Sequence, residues 1–449
     1  MIAKRLSLSN YRGFTQIDLE FDSKITVLAG VNGSGKSGIL RALAALLSNL
    51  LKNTGPSKEA EEAVNAEDVH LGKSALTLSA MFTDGEKTHH TQITKSIPDP
   101  TKVGDYLKRR DAARFAIRST RKGSKKEKEL LEEVRFLDGL LDHEEPHFTH
   151  QVEGPKRAAV KRPKVCPIAI LYSTTRYLDR ISPTLGKVRA FEPGIACKDA
   201  LNGAEVSLTA FASWFRAAQQ GVLGSKAHSK RLLGALNQVV EILLPGFSEP
   251  RVEAEAPPRV LIKKNGTEFD VRQLSDGERG LLALAFDLTR RLAIANPGLK
   301  DPVAEGSAIV LLDEIELHLH PSWQRKVLGR LMDTFKSCQF IATTHSPQVL
   351  GEAPPGSVWM LEIEDGRVMA WKPDRFFGMD SNRLLEELMG ADSINVGVKA
   401  DLRKISELID RDQFPKAERA ITALEPKLGA DHPELIRLRS LIAFITRKK

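Results

Sequence analysis

A glycine-rich segment near the N-terminus constrains the fold of this chain more than any other feature. Residues 30–37 read Gly-Val-Asn-Gly-Ser-Gly-Lys-Ser, which fits the pattern of a phosphate-binding loop. The apolar run Lys24–Ala29 before it predicts a buried strand, and the Ala/Leu-rich run Ser37–Leu51 after it predicts a buried helix. A strand, a glycine-rich turn and a helix in this order direct backbone N–H groups and a helix N-terminus at one phosphate. The chain is therefore expected to fold around a nucleotide phosphate site.

Side chains of this loop have predictable roles. We expect Lys36 to reach the β- and γ-phosphates of ATP, and the Ser37 hydroxyl to ligate Mg²⁺. The other loop residues predicted to bind the cofactor are Asn32, Gly33, Ser34, Gly35 and Gly38.

A second apolar run ends in two acidic residues. Ala308–Leu312 predicts a strand buried in a parallel sheet, and it delivers Asp313 at its carboxyl end, where the carboxylate can hold Mg²⁺ through water. Glu314 follows directly and is placed to polarise a water that attacks the γ-phosphate. Such a run is common by itself, but together with the glycine-rich loop it indicates an ATPase.

Two further segments resemble motifs of ABC-fold ATPases. Leu274–Arg279 resembles the LSGGQ-type signature, with Ser275 as the N-cap of a long helix, and the resemblance implies that Ser275, Gly277 and Glu278 bind the ATP held by a second subunit. Ala342–Pro347 resembles the segment with the switch histidine, which makes His345 a predicted catalytic residue beside Glu314.

All four motifs occur in the ABC order, and the resemblance covers Met1–Pro100 and Val165–Trp371. It implies an α/β fold, an ABC-type P-loop ATPase head with a mixed sheet around the P-loop helix and a helical signature lobe. The segment Asn10–Phe14, and Arg279 where transporters carry Gln, look like the RecF/SMC branch. In that branch Arg12 would contact phosphate.

The resemblance narrows further to bacterial AAA_21 ATPases of phage-defence operons. Residues 313–324, residues 343–350 and the C-terminal sequence from Ser381 are typical of that group. Within it the chain is most similar to the ATPase of Septu systems, PtuA, which also occurs beside retrons. The resemblance implies a regulator that forms a head-to-tail homodimer and acts with a separate HNH-type nuclease subunit.

Alternatives to this function remain open. Relatives of the overcoming-lysogenisation type carry a fused Toprim nuclease, but Asp401, Asp410 and Asp412 fall on helical patterns here, so we expect no nuclease in this chain. A DNA-repair or recombination clamp of RecF type is the second candidate function, and an ABC transporter subunit is the third. His318 and His320 could indicate a metal site, although packing or a dimer contact is the simpler interpretation.

The sequence predicts four segments. Residues 1–102 and 165–372 form the head, residues 103–164 a charged insertion, and residues 373–449 a small all-α tail.

Between Tyr106 and Lys128 there are ten Lys/Arg and two acidic residues, which predicts either a solvated basic helix or a nucleic-acid contact. Apolar stripes in the tail either dock a partner or pack against each other. They comprise Leu402, Ile405, Leu408 and Ile409, and then Leu435, Leu438, Leu441, Ile442 and Ile445.

Composition bounds the class of protein. The 449 residues are 41% hydrophobic and 28% charged with a net charge of +8, which excludes a disordered chain and a membrane protein. The first residues contain no apolar core of a secretory signal, and the three cysteines are scattered. We therefore expect a reduced, cytoplasmic location without a membrane partner.

Overall fold

The structure is a computed structural model that describes all residues except 55–63, 86, 98–99, 121, 123, 144–147, 155–164, 187–192, 254, 256, 393 and 449. The described residues form two compact units, Met1–Met379 and Asp380–Lys449. The strands are β1 (Ile2–Tyr11), β2 (Phe14–Glu20), β3 (Ile25–Gly30), β4 (Ala75–Asp84), β5 (Lys87–Ser96), β6 (Phe148–Glu153), β7 (Ile168–Tyr172), β8 (Phe247–Glu253), β9 (Arg259–Lys264), β10 (Thr267–Asp270), β11 (Ala308–Leu312), β12 (Gln339–Thr344), β13 (Val358–Glu364) and β14 (Arg367–Trp371).

Fourteen α-helices occur within the described residues. They are α1 (Lys36–Thr54), α2 (Pro100–Ser119), α3 (Lys125–His143), α4 (Pro193–Cys197), α5 (Leu208–Gln219), α6 (Lys226–Leu243), α7 (Asp276–Ala295), α8 (Pro302–Glu305), α9 (Pro321–Thr334), α10 (Pro347–Leu350), α11 (Ser381–Glu387), α12 (Val396–Asp410), α13 (Phe414–Leu428) and α14 (Pro433–Lys448).

A six-stranded sheet in the order β14-β13-β3-β12-β11-β7 forms the centre of the first unit. Strands β13, β3, β12, β11 and β7 are parallel, and only the edge strand β14 is antiparallel to its neighbour. All residues of β3, β11 and β12 are buried, as expected for apolar strands covered on both faces. The α/β fold class predicted from the sequence is confirmed.

A second, antiparallel sheet lies on the other side of α1. Its order is β2-β1-β4-β5-β6, and α1 contacts strands of both sheets. The Ala/Leu-rich sequence of α1 supplies small and apolar side chains on all sides, so its residues join the two sheets in one hydrophobic core. Strands β4 and β5 were not predicted from the sequence.

The signature lobe combines a three-stranded sheet, β10-β9-β8, with helices α5 to α7. Helix α7 contacts both α5 and α6, and the rings of Phe211 and Phe286 stack with centroids 4.0 Å apart. Ser275 is the N-cap of α7, as the sequence predicts.

Helices α2 and α3 of the charged insertion form a hairpin, and β6 then pairs with β5. Several of the hairpin's basic side chains are paired with acidic ones, since Arg109 binds Glu133 while Arg110 and Arg114 both bind Asp138. Parts of the predicted insertion, residues 121, 123, 144–147 and 155–164, lie outside the described residues.

The second unit is built on three helices, α12, α13 and α14, which contact one another pairwise. Their shared core comprises Leu402, Ile405, Ile409, Ala417, Ile421, Leu424, Leu435, Leu438 and Ile442. Most residues of the two predicted docking stripes are therefore buried against each other. The interpretation of these stripes as a docking surface is wrong, because they form the core that the small unit needs to fold.

None of the described helices combines the length and the apolar character that a bilayer crossing requires.

Candidate functional site

Four loops converge because they follow adjacent parallel strands. The glycine-rich loop follows β3, His345 follows β12, Asp313 follows β11, and the segment Ser173–Arg176 follows β7. The carboxyl ends of parallel strands meet at one edge of a sheet, which is where ligands bind in open α/β folds. This topology places residues that are far apart in sequence next to the N-terminus of α1.

Lys36 occupies the centre of the glycine-rich loop. Its side chain is buried, and its Nζ donates to the carbonyl oxygens of Gly30 and Val31 at 3.0 Å and 2.8 Å. Burial lowers the pKa of Lys36 to about 8, although the charges of Asp313 and Glu314 oppose this shift. The ammonium group is thus held inside the loop by backbone oxygens.

Gly35 allows the glycine-rich loop to pack directly against the ring of Phe14. Its φ is +85°, and a Cβ at this position would overlap the side chain of Phe14. Ser34 is fully buried, whereas Asn32, Gly33 and Ser37 are exposed. Gly38 lies in the first turn of α1.

Ser37 and Asp313 are brought together by the fold. Ser37 Oγ donates to Asp313 Oδ1 at 3.0 Å, and Thr343 Oγ1 donates to the same oxygen at 2.7 Å. A hydroxyl and a carboxylate side by side are the hard oxygen ligands that Mg²⁺ prefers. The two residues predicted to hold Mg²⁺ therefore fit that ion.

Glu314 sits in a strained turn directly after β11. Its φ is +46°, a conformation that residues other than glycine seldom adopt. The backbone N–H of Glu314 donates to Thr343 Oγ1 at 2.7 Å, and its carbonyl accepts from Arg176 Nη2 at 2.7 Å. The motifs of the sequence assign no role to the segment that contains Arg176, and the burial of Arg176 among the carbonyls of this turn has no signal in the local sequence.

His345 follows β12 and is anchored by an acid that was not among the predicted site residues. The backbone N–H of His345 donates to Glu316 Oε1 at 2.5 Å, and Thr344 Oγ1 donates to Glu316 Oε2 at 2.8 Å. Burial lowers the pKa of His345, and the charge of Lys36 adds to the effect. This direction of the pKa shift favours the neutral imidazole.

The signature residues contact a different segment from the glycine-rich loop. Ser275 is exposed, and its backbone N–H donates to Glu278 Oε2 at 3.1 Å, while Lys264 Nζ lies 2.7 Å from Glu278 Oε1. Gly277 is buried against the loop after Glu314, where a Cβ would overlap the carbonyl oxygen of His318. The signature is therefore packed on the segment that follows the acid pair.

Arg12 lies in the turn between β1 and β2. Its Nε donates to Asp68 Oδ1 at 2.8 Å, and its side chain passes beside Gly38 at the start of α1. The side chain of Arg12 therefore lies beside the start of α1, and its contact with phosphate stays a prediction.

The histidines of the loop after Glu314 make protein contacts. His318 Nε2 lies 3.1 Å from Tyr177 Oη. His320 caps α9, because its Nδ1 accepts from the backbone N–H of Ser322 at 3.3 Å, and the same Nδ1 lies 2.8 Å from Ser322 Oγ. Within the part of the chain that the structure describes, no three His, Cys, Asp or Glu side chains gather as a metal site requires.

Comparison with known proteins gives one family and several relatives. The sequence matches the RecF/RecN/SMC N terminal domain over residues 2–365. The retron Ec83 probable ATPase of Escherichia coli is 43% identical over 134 residues, which cover 30% of this chain and 24% of that protein. The Septu protein PtuA of Bacillus thuringiensis is 26% identical over 191 residues, 40% of this chain and 48% of that protein.

A third relative is the DNA replication and repair protein RecF of Arthrobacter sp. (strain FB24), which is 31% identical over 113 residues, 24% of this chain and 27% of that protein. The matched segments span less than half the length of each of these three relatives. The predicted resemblance to defence-system ATPases and to the RecF/SMC branch is confirmed. Because the family match extends over most of the sequence and includes all four ATPase motifs, the chain belongs to the RecF/RecN/SMC N-terminal domain family.

Proposed function

We propose that this chain binds ATP with Mg²⁺ and hydrolyses it. The contact between Ser37 Oγ and Asp313 Oδ1 carries this proposal, because it joins the phosphate loop to the acidic end of β11. Lys36 would neutralise phosphate charge, and Ser37 and Asp313 would hold Mg²⁺, which polarises the γ-phosphate when bound. Glu314 would take a proton from the attacking water, and His345 would donate a hydrogen bond near the γ-phosphate.

We also propose that two chains share each ATP. Ser275 opens the 20-residue helix α7 and is exposed, so its helix N-terminus is available to a phosphate held by a second chain. Two sites would then form between head-to-tail subunits, and ATP would act as a clamp that hydrolysis reopens.

The test of hydrolysis is Mg²⁺-dependent phosphate release by the full-length protein. Asp313→Asn removes the negative charge that holds the ion, so turnover should fall at least ~10²-fold and recover little with added Mg²⁺. The matched control is Asp333→Asn, an exposed acid on α9, which should behave as wild type. Equal turnover by the two variants would argue against Asp313 as the Mg²⁺ ligand.

The proposed biological role is that of a sensor or regulator subunit in a bacterial antiphage system, acting with a separate HNH-type nuclease. Its support is the similarity to proteins named as a retron probable ATPase and as Septu protein PtuA. The similarity to RecF supports the second candidate, a DNA-repair or recombination clamp. Expression of the whole operon and identification of the co-purifying protein separates them: an HNH nuclease supports the first role, and recombination proteins support the second.

The tail unit is the proposed docking site for that nuclease, through the outer face of α14 instead of the predicted stripes. Ile436 and Phe444 are 50% and 58% exposed on this face. Ile436→Glu should therefore release the partner in a pull-down while the three-helix core stays intact. Lys416→Glu, at an exposed position on α13, is the control. Retention of the nuclease by Ile436→Glu would refute the docking site only.

A further inference from the structure

Arg176 holds the turn that carries Glu314, and its position has a consequence for catalysis. We infer that Arg176 is a positioning residue that fixes the backbone after β11 so that the Glu314 carboxylate faces the phosphate site. This inference rests on the ATP hydrolysis proposed above. A positioning role for Arg176 also gives the segment Ser173–Arg176 after β7 a function, which none of the sequence motifs provides.

The guanidinium of Arg176 binds three consecutive carbonyls. Nη1 donates to the oxygen of Asp313 at 2.5 Å, and Nη2 donates to the oxygens of Glu314 and Ile315 at 2.7 Å and 3.4 Å. The side chain is only 7% exposed, and Nη1 also donates to Ser173 in its own turn at 3.3 Å. One side chain therefore ties the turn after β7 to the turn after β11.

These contacts counteract a local strain. The positive φ of Glu314 costs of order 1 kcal/mol for a residue with a Cβ, and such a conformation persists only where its surroundings fix it. Thr343 Oγ1 binds the N–H of Glu314, and Arg176 binds its carbonyl, so the residue is held from both sides. Without Arg176 the turn loses one of the two groups that keep it in this conformation.

Arginine is suited to this task for geometric and electrostatic reasons. Its planar fork can donate to several oxygens in fixed directions, whereas a lysine ammonium is a single point. Burial lowers the pKa of Arg176, but the charges of Glu316, Asp313 and Glu314 oppose the shift and keep the group a cation. The same cation partly offsets the repulsion between these carboxylates and an incoming polyphosphate.

The donors of Arg176 point at carbonyls of the protein, so its effect on the reaction would pass through Glu314. Lys36 and Ser37, which we expect to bind the nucleotide, lie on α1. Asp313 lies on this turn, but its carboxylate is also held by the hydroxyls of Ser37 and Thr343, which do not depend on Arg176. Loss of Arg176 should therefore reduce kcat and leave nucleotide affinity almost unchanged.

The test compares Arg176→Gln and Arg176→Lys with Arg180→Gln, an exposed arginine of the same segment. We expect Arg176→Gln to lower kcat about 10- to 100-fold, since a misplacement of about 1 Å has that effect. Arg176→Lys should recover part of the rate, and Arg180→Gln should match wild type. The Kd of a fluorescent ATP analogue should change less than about twofold in all three variants. If Arg176→Gln does not fold, Arg176→Lys carries the same comparison of kcat with Kd.

A double variant decides whether the effect passes through Glu314. Arg176→Lys in the Glu314→Gln background should cause no further loss of kcat, because the group being positioned is already absent. Three outcomes would overturn the inference while wild-type hydrolysis stands. The fold-losses in kcat of the two single variants could multiply in the double variant, Arg176→Lys could leave kcat unchanged, or the variants could lose nucleotide affinity with an unchanged kcat. A wild-type protein that binds ATP without hydrolysing it would instead overturn the proposed function, and the positioning role with it.

Discussion

Ser37 Oγ lies 3.0 Å from Asp313 Oδ1, although the two residues are 276 positions apart in the sequence. The contact exists because β3 and β11 both pair with β12 in one parallel sheet, which aligns their carboxyl ends. It places the helix N-terminus of α1 beside an acidic turn, where a nucleotide phosphate and a divalent cation can be bound together.

Glu314→Gln should separate nucleotide binding from turnover. The amide keeps the shape of the side chain but cannot accept a proton, so turnover should fall at least ~10²-fold while ATP affinity is kept. Single-turnover hydrolysis and equilibrium binding measure the two effects. Glu362→Gln, an exposed acid on β13, is the control. Full hydrolysis by Glu314→Gln would assign the role of the base to another group.

ATP affinity should depend on pH through Lys36. Its pKa of about 8 means that the side chain is charged at pH 7 and loses its proton as the pH rises through 8. Because phosphate binds the charged form, the Kd should rise about tenfold between pH 7 and pH 9. Calorimetric titrations with ATP between pH 7 and pH 9 measure this change in Kd. Lys24→Ala should keep the pH dependence, whereas Lys36→Ala should lose binding at every pH. A constant Kd in the wild type would contradict the expected protonation.

Sharing of the site between subunits can be tested by mixing two inactive variants. Ser275→Arg should abolish turnover and leave nucleotide binding by single chains, because the exposed Ser275 side chain is not needed in its own fold. Lys36→Ala should abolish binding in its own chain. Each mixed dimer would then contain one intact site, and an equal mixture should recover roughly a quarter of wild-type turnover.

The choice of Ser275 for this experiment follows from the packing of the signature. A substitution at Gly277 would displace the carbonyl of His318 and disturb the loop of the same chain, so its effect could not be attributed to a second subunit. If exchanged mixtures of Ser275→Arg and Lys36→Ala stay inactive, the shared arrangement is wrong.

The α2–α3 hairpin should contact nucleic acid through its lysines. Arg109, Arg110 and Arg114 are paired with acids of α3, whereas Lys108, Lys122 and Lys126 are exposed. Changing these three lysines to Glu should reduce the slope of log K against log salt for DNA or RNA by up to about three. The control, Arg114→Gln, should leave the slope unchanged. No binding by the wild type at ~50 mM salt would support a solvated helical hairpin instead.

The sequence by itself determined the elements around the motifs. β3, α1, β11 and α7 were predicted within a few residues, because buried strands, an Ala/Leu-rich helix and an N-cap serine are local signals. The pairs Lys36-Ser37 and Asp313-Glu314 are adjacent in the sequence, so their proposed roles could likewise be predicted without any tertiary contact. Strand β4 was missed although its buried residues alternate along the sequence, and β5 was missed because its inward positions carry His and Thr as well as Ile, so it has little apolar signal.

Tertiary structure decided how the predicted residues are held and which charges are available. Arg176 and Glu316 became part of the site only because parallel pairing brings β7, β11 and β12 side by side. Arg176 binds backbone carbonyls, and Glu316 binds the N–H of His345 and the hydroxyl of Thr344, contacts that leave no pattern in the sequence. The arginines of the charged insertion were counted as a basic cluster, yet two acids of α3 pair with three of them. The apolar stripes of the tail became a core in the same way. Local sequence fixes which face of a helix is apolar or charged, and only the packing of a second element decides whether that face is covered.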